Sequence, residues 1–200
     1  MTYSVAIYVF PNVEVLDFAG PFEVFTTASR VFLRQNPSRP APFSVYTVSR
    51  SLLPVTARAG LQVVPEHNLV TCPTPDLLLI PGGIIEAEMA EPDLLQWIRR
   101  SSQNAKITAS VCTGAFLLAK AGLLQGKSAT THWEDIADLR EQFPSLSVKE
   151  QVRWVDEGNI VTSAGIAAGI DMSLHLVSRL ASKDLALLTA KQLDVPYSDS

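Results

Sequence analysis

One cysteine of this 200-residue chain, Cys112, closes the apolar run ITASV and stands ahead of Thr113-Gly114 and the Ala- and Leu-rich segment GAFLLAKA. A thiol in that place is expected on a strand-to-helix turn, a nucleophile elbow in outline. The helix that follows aims free N–H groups and the positive end of its dipole at the sulfur, which lowers a thiol pKa and favours the reactive thiolate. Ala109, Ser110, Gly114 and Ala115 are small enough for the close backbone approach of a sharp turn. The competing reading is a buried structural cysteine, a frequent fate of this residue. Cys72 supplies the contrast: it lies in VTCPTP, where Pro73 and Pro75 prevent a helix from starting on it, and reads as structural.

Three further features are candidates for chemistry. Asp17, in NVEVLDFAGPFEVF, sits between Leu16 and Phe18. Apolar neighbours strip a carboxylate of hydration and raise its pKa toward a value suited to exchanging protons with a thiol or a substrate. Its competing reading is the N-cap of a helix opening near Gly20. Glu14 and Glu23, close by, read as solvated surface. Gly82 and Gly83 follow the run LLLI and Pro81, so that backbone N–H groups there would point into a crevice as oxyanion donors. A Gly-Gly turn is also common in loops, and the spacing fits neither a P-loop nor a dinucleotide fingerprint. His132, in ATTHW, is placed to meet the cysteine as a Cys-His partner, or to be a packed, hydrogen-bonded ring beside Trp133. No His, Cys and Asp set has ligand spacing, so no metal and no cofactor is expected.

These residues need elements to hold them. Val5–Phe10, Phe43–Val48, Leu77–Ile80 and Lys106–Val111 are β-branched or apolar runs stopped by Pro, Gly or turn residues, the pattern of strands buried on both faces. Helices are expected at Gly20–Arg34 and Glu91–Gln103, each with a proline in the first turn, at Gly114–Ala121, at Trp133–Gln142 and at Ile166–Ala181. Gln151–Asp156 and Asn159–Thr162 flank Glu157-Gly158 and read as a late antiparallel hairpin. The alternation predicts an α/β sandwich around a mostly parallel sheet. Ligands bind such sheets at the carboxyl ends of the strands, which points to Pro11–Asp17, Pro81–Ile84, Cys112-Thr113 and Ser163–Ala168. Ile84 and Ile166 fall in loops expected to line the pocket.

Composition sets the outer bounds. Hydrophobic residues at 47% and charged residues at 18% describe a folded globular chain, expected to be a single domain over residues 1–200. A net charge of −4 without a Lys/Arg cluster argues against nucleic acid as a partner. The apolar start is too short for a signal or membrane segment, and two cysteines are too few for a disulfide framework, so a cytoplasmic location with free thiols is expected.

The segments FPNVEVLDFAGPFEVF, IPGG, SVCTGAFLLAKAGLLQGKSATTHW and TSAGIAAGID, in this order, resemble the DJ-1/PfpI superfamily and, within it, the isonitrile hydratase branch. The resemblance covers residues 3 to about 185. It implies a flavodoxin-like three-layer sandwich, a homodimer and a small-molecule substrate. It also implies Cys112 as nucleophile, Asp17 as its acid/base carboxylate and Thr113 as the adjacent hydroxyl, with Gly82, Gly83 and Thr113 N–H groups steadying charge. In that branch the sulfur attacks an isocyanide carbon, and water releases an N-substituted formamide. Thr113, where protease-like members carry His, argues against a Cys-His hydrolase, and Asp17 in place of Glu argues against the DJ-1 branch. Two alternatives stay open. The same motifs resemble the ligand-sensing amino-terminal half of AraC-type regulators, although no helix-turn-helix lies within these residues. A stress-type role on other small electrophiles would use the same thiolate.

Overall fold

The computed structural model describes residues 1–197. Its centre is a seven-stranded sheet. Tyr3–Tyr8 forms β1, and the chain then folds into helix α1 (Val15–Gln35) before returning as β2 (Phe43–Ser49). β3 (Val55–Thr56) and β4 (Gln62–Val63) make a small antiparallel pair beside the main sheet, and β5 (His67–Asn68) rejoins it. β6 (Leu77–Ile80) leads through the short α2 (Glu86–Met89) and α3 (Pro92–Asn104) into β7 (Ile107–Val111) and α4 (Gly114–Lys120). A second small pair, β8 (Ser128–Ala129) with β9 (Ser147–Val148), brackets α5 (Ile136–Gln142). β10 (Trp154–Asp156), β11 (Ile160–Ser163), α6 (Ala168–Leu180) and α7 (Lys183–Leu193) complete the chain.

The sheet order is β10-β11-β7-β6-β1-β2-β5, parallel throughout except for β10, which runs antiparallel to β11. Helices α1, α6 and α7 pack on one another, as do α2, α3 and α4, so the sheet is the middle of three layers in a flavodoxin-like sandwich. Every residue of β6 and β7 is buried, which is why both segments are continuous apolar runs without the alternation of a half-exposed strand.

Several element bounds differ from expectation: β1 runs over Tyr3–Tyr8, β10 opens only at Trp154, and Trp133–Asp135 is a 3-10 turn ahead of α5. Helix α1 opens at Val15, five residues before Gly20, so Pro21 lies inside the helix and Asp17 in its first turn. Pro21 has no N–H to give the carbonyl one turn back, which belongs to Asp17. The loop ahead of the helix is tied to the loop after β6, with Glu14 N–H donating to Gly82 O at 2.9 Å and Ile84 N–H to Asn12 O at 3.2 Å. Helix α6 starts at Ala168, two residues later than the apolar pattern suggests. In the hairpin, Glu157 N–H donates to Ile160 O, which places the turn at Gly158-Asn159, one residue beyond Glu157-Gly158. Helix α7, which the sequence reading omits, begins at the N-cap Ser182, whose hydroxyl accepts from Leu185 N–H at 3.2 Å.

Candidate active site

Four of the loops that leave the carboxyl ends of the parallel strands converge. Cys112 directly follows β7 with φ at 55°, the left-handed region that a side-chain-bearing residue adopts only at a cost of roughly 1–2 kcal/mol. Three hydrogen bonds hold it there: Cys112 N–H donates to Ser163 O at 3.1 Å, and its carbonyl accepts from Thr131 Oγ1 at 2.8 Å and from Ala115 N–H at 3.3 Å. The elbow is real. It is also tightly enclosed, since a Cβ on Gly165 would stand 2.8 Å from Cys112 Sγ and 2.8 Å from the His132 ring, and one on Gly82 would stand 2.6 Å from Thr113 N. Neither position has room for a side chain.

Asp17 is fully buried, and its Oδ2 accepts the Gly82 N–H at 3.1 Å. The N-cap reading therefore fails: the carboxylate reaches across to the loop after β6 and does not cap its own helix. Its second oxygen, Oδ1, has no hydrogen-bond partner of good geometry. Burial pushes the Asp17 pKa up to about 7, opposed by the Gly82 N–H and reinforced by the charge of Glu14. The Cys112 thiol is close enough to couple to it, lowering the carboxyl pKa while the carboxylate raises that of the thiol.

One expectation is reversed at the sulfur. Thr113 N–H does favour the thiolate, as the helix amino end requires, but burial together with the charges of Asp17 and Asp135 raises the Cys112 pKa well above that of a free thiol. A single N–H at the end of a seven-residue helix does not offset the loss of water around a nearly buried sulfur. Above about pH 7 the resting pair is a thiol beside a carboxylate, and deprotonation of sulfur must be coupled to a proton acceptor.

The two glycine N–H groups are likewise committed. Gly82 N–H holds Asp17, and Gly83 N–H donates to Thr113 Oγ1 at 2.9 Å while the Thr113 hydroxyl donates back to Gly83 O at 2.9 Å. In this state they position the carboxylate and the elbow and leave no free donor for an oxyanion. Thr113 thus ties the loop after β6 to the loop after β7.

Above the sulfur lies a cleft of about 430 Å³ lined by Glu14, Arg58, Gly83, Cys112, Thr113, His132, Trp133, Glu134, Asp135 and Ile166. That volume suits a small organic ligand. Ile166 lines the Cys112 cleft. Ile84, half exposed, lines an adjoining cavity of about 380 Å³ that shares Gly83, Thr113 and Asp135 with it. His132 reaches the cleft, but its Nδ1 faces Glu134 at 3.5 Å and Asp135 at 3.6 Å. Glu14, read from sequence as solvated surface, is a cleft residue paired with Arg58 at 3.3 Å. Gly165 and Thr131 escaped sequence reading as individuals, although Gly165 falls in the segment after β11 where the parallel sheet predicts a site. A larger cavity of about 730 Å³, beside Arg50, Cys72 and Trp97, has no comparable elbow and no carboxylate coupled to its thiol. No group of three or more His, Cys, Asp or Glu placed to hold a metal ion occurs among the described residues.

A flavodoxin-like sandwich with a strained cysteine elbow over a buried carboxylate defines a class of cysteine-centred α/β proteins. The chain belongs to the DJ-1/PfpI family, whose model matches residues 3–179. It is 37% identical to isonitrile hydratase of Pseudomonas putida over 97% of this chain and 79% of that protein. It is 36% identical to the HTH-type transcriptional regulator CdhR of Pseudomonas aeruginosa over 91% of this chain, which spans about half (52%) of the regulator. A crystal structure of a ThiJ/PfpI family protein from Pseudomonas syringae superposes with a TM-score of 0.85 at 30% identity, covering 100% of this chain and 78% of that one.

Proposed function

We propose that this protein is an isonitrile hydratase-like lyase with Cys112 as nucleophile and Asp17 as acid/base. The observation that carries the reading is the pairing of a buried carboxylate, one oxygen unpartnered, with a cysteine on a strained elbow. The likeness to the Pseudomonas putida hydratase supports the substrate class. The thiol proton passes to Asp17 as Sγ bonds to the terminal carbon of R–N≡C, and Asp17 returns it to that carbon, leaving a thioimidate, R–N=CH–S–Cys112. Water then adds to the same carbon while Asp17 moves one proton from the water to the nitrogen. The C–S bond breaks, sulfur recovers the remaining proton, and R–NH–CHO leaves. The sum is isocyanide plus water. A carboxyl group with a pKa near neutrality serves both directions of transfer. Thr113 N–H favours negative charge on sulfur, and Gly82 and Gly83 hold Asp17 and Thr113 in place. The reading carries with it a single-domain homodimer in the cytoplasm that needs no cofactor.

The test is incubation with a simple alkyl isocyanide, following formamide. No turnover by the wild type would overturn the hydratase assignment, and undiminished turnover by Cys112→Ala would overturn the mechanism. A second reading, a ligand sensor, is favoured by the match to a transcription regulator of about twice this length; it predicts saturable ligand binding without formamide.

A further inference from the structure

We propose that the mouth of the Cys112 cleft selects small electrophiles that carry a positive charge. The proposal rests on the reading of Cys112 as the site's nucleophile and specifies which substrates reach it.

The charges around the cleft do not cancel. Arg58 is paired with Glu14 at 3.3 Å, which leaves Glu134 and Asp135 facing the opening with only the His132 ring between them. The adjoining cavity adds Glu86 and Asp138 on the far side of Asp135. The arginines nearest these carboxylates in the chain and the cleft are engaged elsewhere, Arg58 with Glu14 and Arg140 with Glu150. The whole chain has a net charge of only −4, so the concentration is local. Behind the cleft wall, buried away from its surface, the unpartnered Asp17 Oδ1 adds a further carboxylate that acts on the thiol. On the rim, Trp133 and Ile166 are exposed, and an indole is the side chain that attracts a cation most strongly.

The acidity is felt within the site. Partial burial raises the Asp135 pKa; Asp138, Glu134 and Glu86 raise it further, against the opposing effect of His132, and the charge of Asp135 in turn raises Cys112. A cation seated at the mouth relieves this repulsion and brings the sulfur closer to its thiolate. A substrate bearing an ammonium group would therefore bind more readily than its neutral isostere and would also ease deprotonation of the nucleophile it meets. A carboxylate-bearing analogue does the opposite.

The experiment uses the full chain carrying Cys72→Ser, with Cys112 labelled by three methanethiosulfonates: the neutral methyl, the cationic trimethylammonium-ethyl and the anionic sulfonato-ethyl reagents. Each rate is divided by that of the same reagent with free β-mercaptoethanol, which removes intrinsic reactivity. The normalised cation-to-anion ratio should be on the order of ten or more at low salt and fall as salt is added. In Glu134→Gln/Asp135→Asn it should approach one. If that pair of changes disturbs the fold, Glu134→Gln alone, on a side chain 64% exposed, should lower the ratio by a smaller factor. A wild-type ratio of one, or a ratio unmoved by these substitutions, overturns the charge preference while neutral labelling leaves the nucleophile standing. Failure of all three reagents to label Cys112 overturns both.

Discussion

The two thiols of the molecule share one property and differ in the rest. Burial raises both, Cys72 to about 11 and Cys112 further. Cys72 lies in an extended, proline-rich loop, its thiol donating to Pro73 O at 3.2 Å, beside the larger cavity. Cys112 sits at φ 55° on an elbow, with Asp17 coupled to it and a 430 Å³ cleft above it. What distinguishes the second thiol is therefore not a low resting pKa but a buried carboxylate held at its side, which the proposed mechanism uses as proton acceptor. In a nearly dry site, removing the proton is a joint property of two groups, and a carboxylate with a pKa of about 7 is well matched to the task.

That comparison breaks most visibly if the two thiols are exchanged in importance. Cys112→Ala should lower hydration roughly ten-thousand-fold or more, as loss of a covalent nucleophile does, whereas Cys72→Ser should leave kcat within about two-fold. Equal losses in a formamide assay would erase the distinction. Asp17→Asn comes next, with kcat reduced by about 10²–10⁴-fold. The pH profile sharpens it: alkylation of Cys112 should rise through about pH 7 as Asp17 ionises, and this limb should vanish in Asp17→Asn. The same shift has a sign in stability. Because the folded pKa of Asp17 is raised, its contribution is complete below the unfolded value of about 4 and is lost as pH rises through about 7. Asp17→Asn should thus gain thermal stability relative to the wild type between about pH 4 and about pH 8; a gap that narrows would contradict the burial argument.

Packing around the elbow gives smaller effects. Gly165→Ala places a Cβ 2.8 Å from both Sγ and the His132 ring and should destabilise by about 1–3 kcal/mol in denaturant unfolding, with no matching sensitivity for an alanine at the open position Gly126→Ala beyond its own backbone strain. Thr131→Val removes the hydroxyl that holds the Cys112 carbonyl and should cost about 1 kcal/mol by the same measurement.

Much of this arrangement was legible in the residues. Runs such as LLLI and ITASV are continuous because β6 and β7 are covered on both faces, and that burial is what a parallel sheet writes into a sequence. The turn at Cys112 is legible from the strand ITASV before it and Thr113-Gly114 with the helix after it. Asp17 was found as a residue but misplaced in its element, because Pro21 suggested a helix start near Gly20 and the helix opens at Val15. Glu14 and Gly165 were hidden for a different reason. Their roles depend on contacts between segments far apart in the chain, Glu14 with Arg58 and Gly165 with Sγ, and no local periodicity reports such pairs. The pKa of Cys112 was misjudged because the helix end is visible in sequence and desolvation is not.

The central claim is that Cys112, deprotonated by Asp17, bonds to the isocyanide carbon. Mass spectrometry of the protein during turnover with a simple alkyl isocyanide tests it most directly. The account predicts a mass gain equal to one isocyanide, mapped to the Cys112 peptide, absent from Cys112→Ala and decaying as formamide appears. Formamide produced at the wild-type rate by Cys112→Ala, or an adduct confined to Cys72, would contradict it.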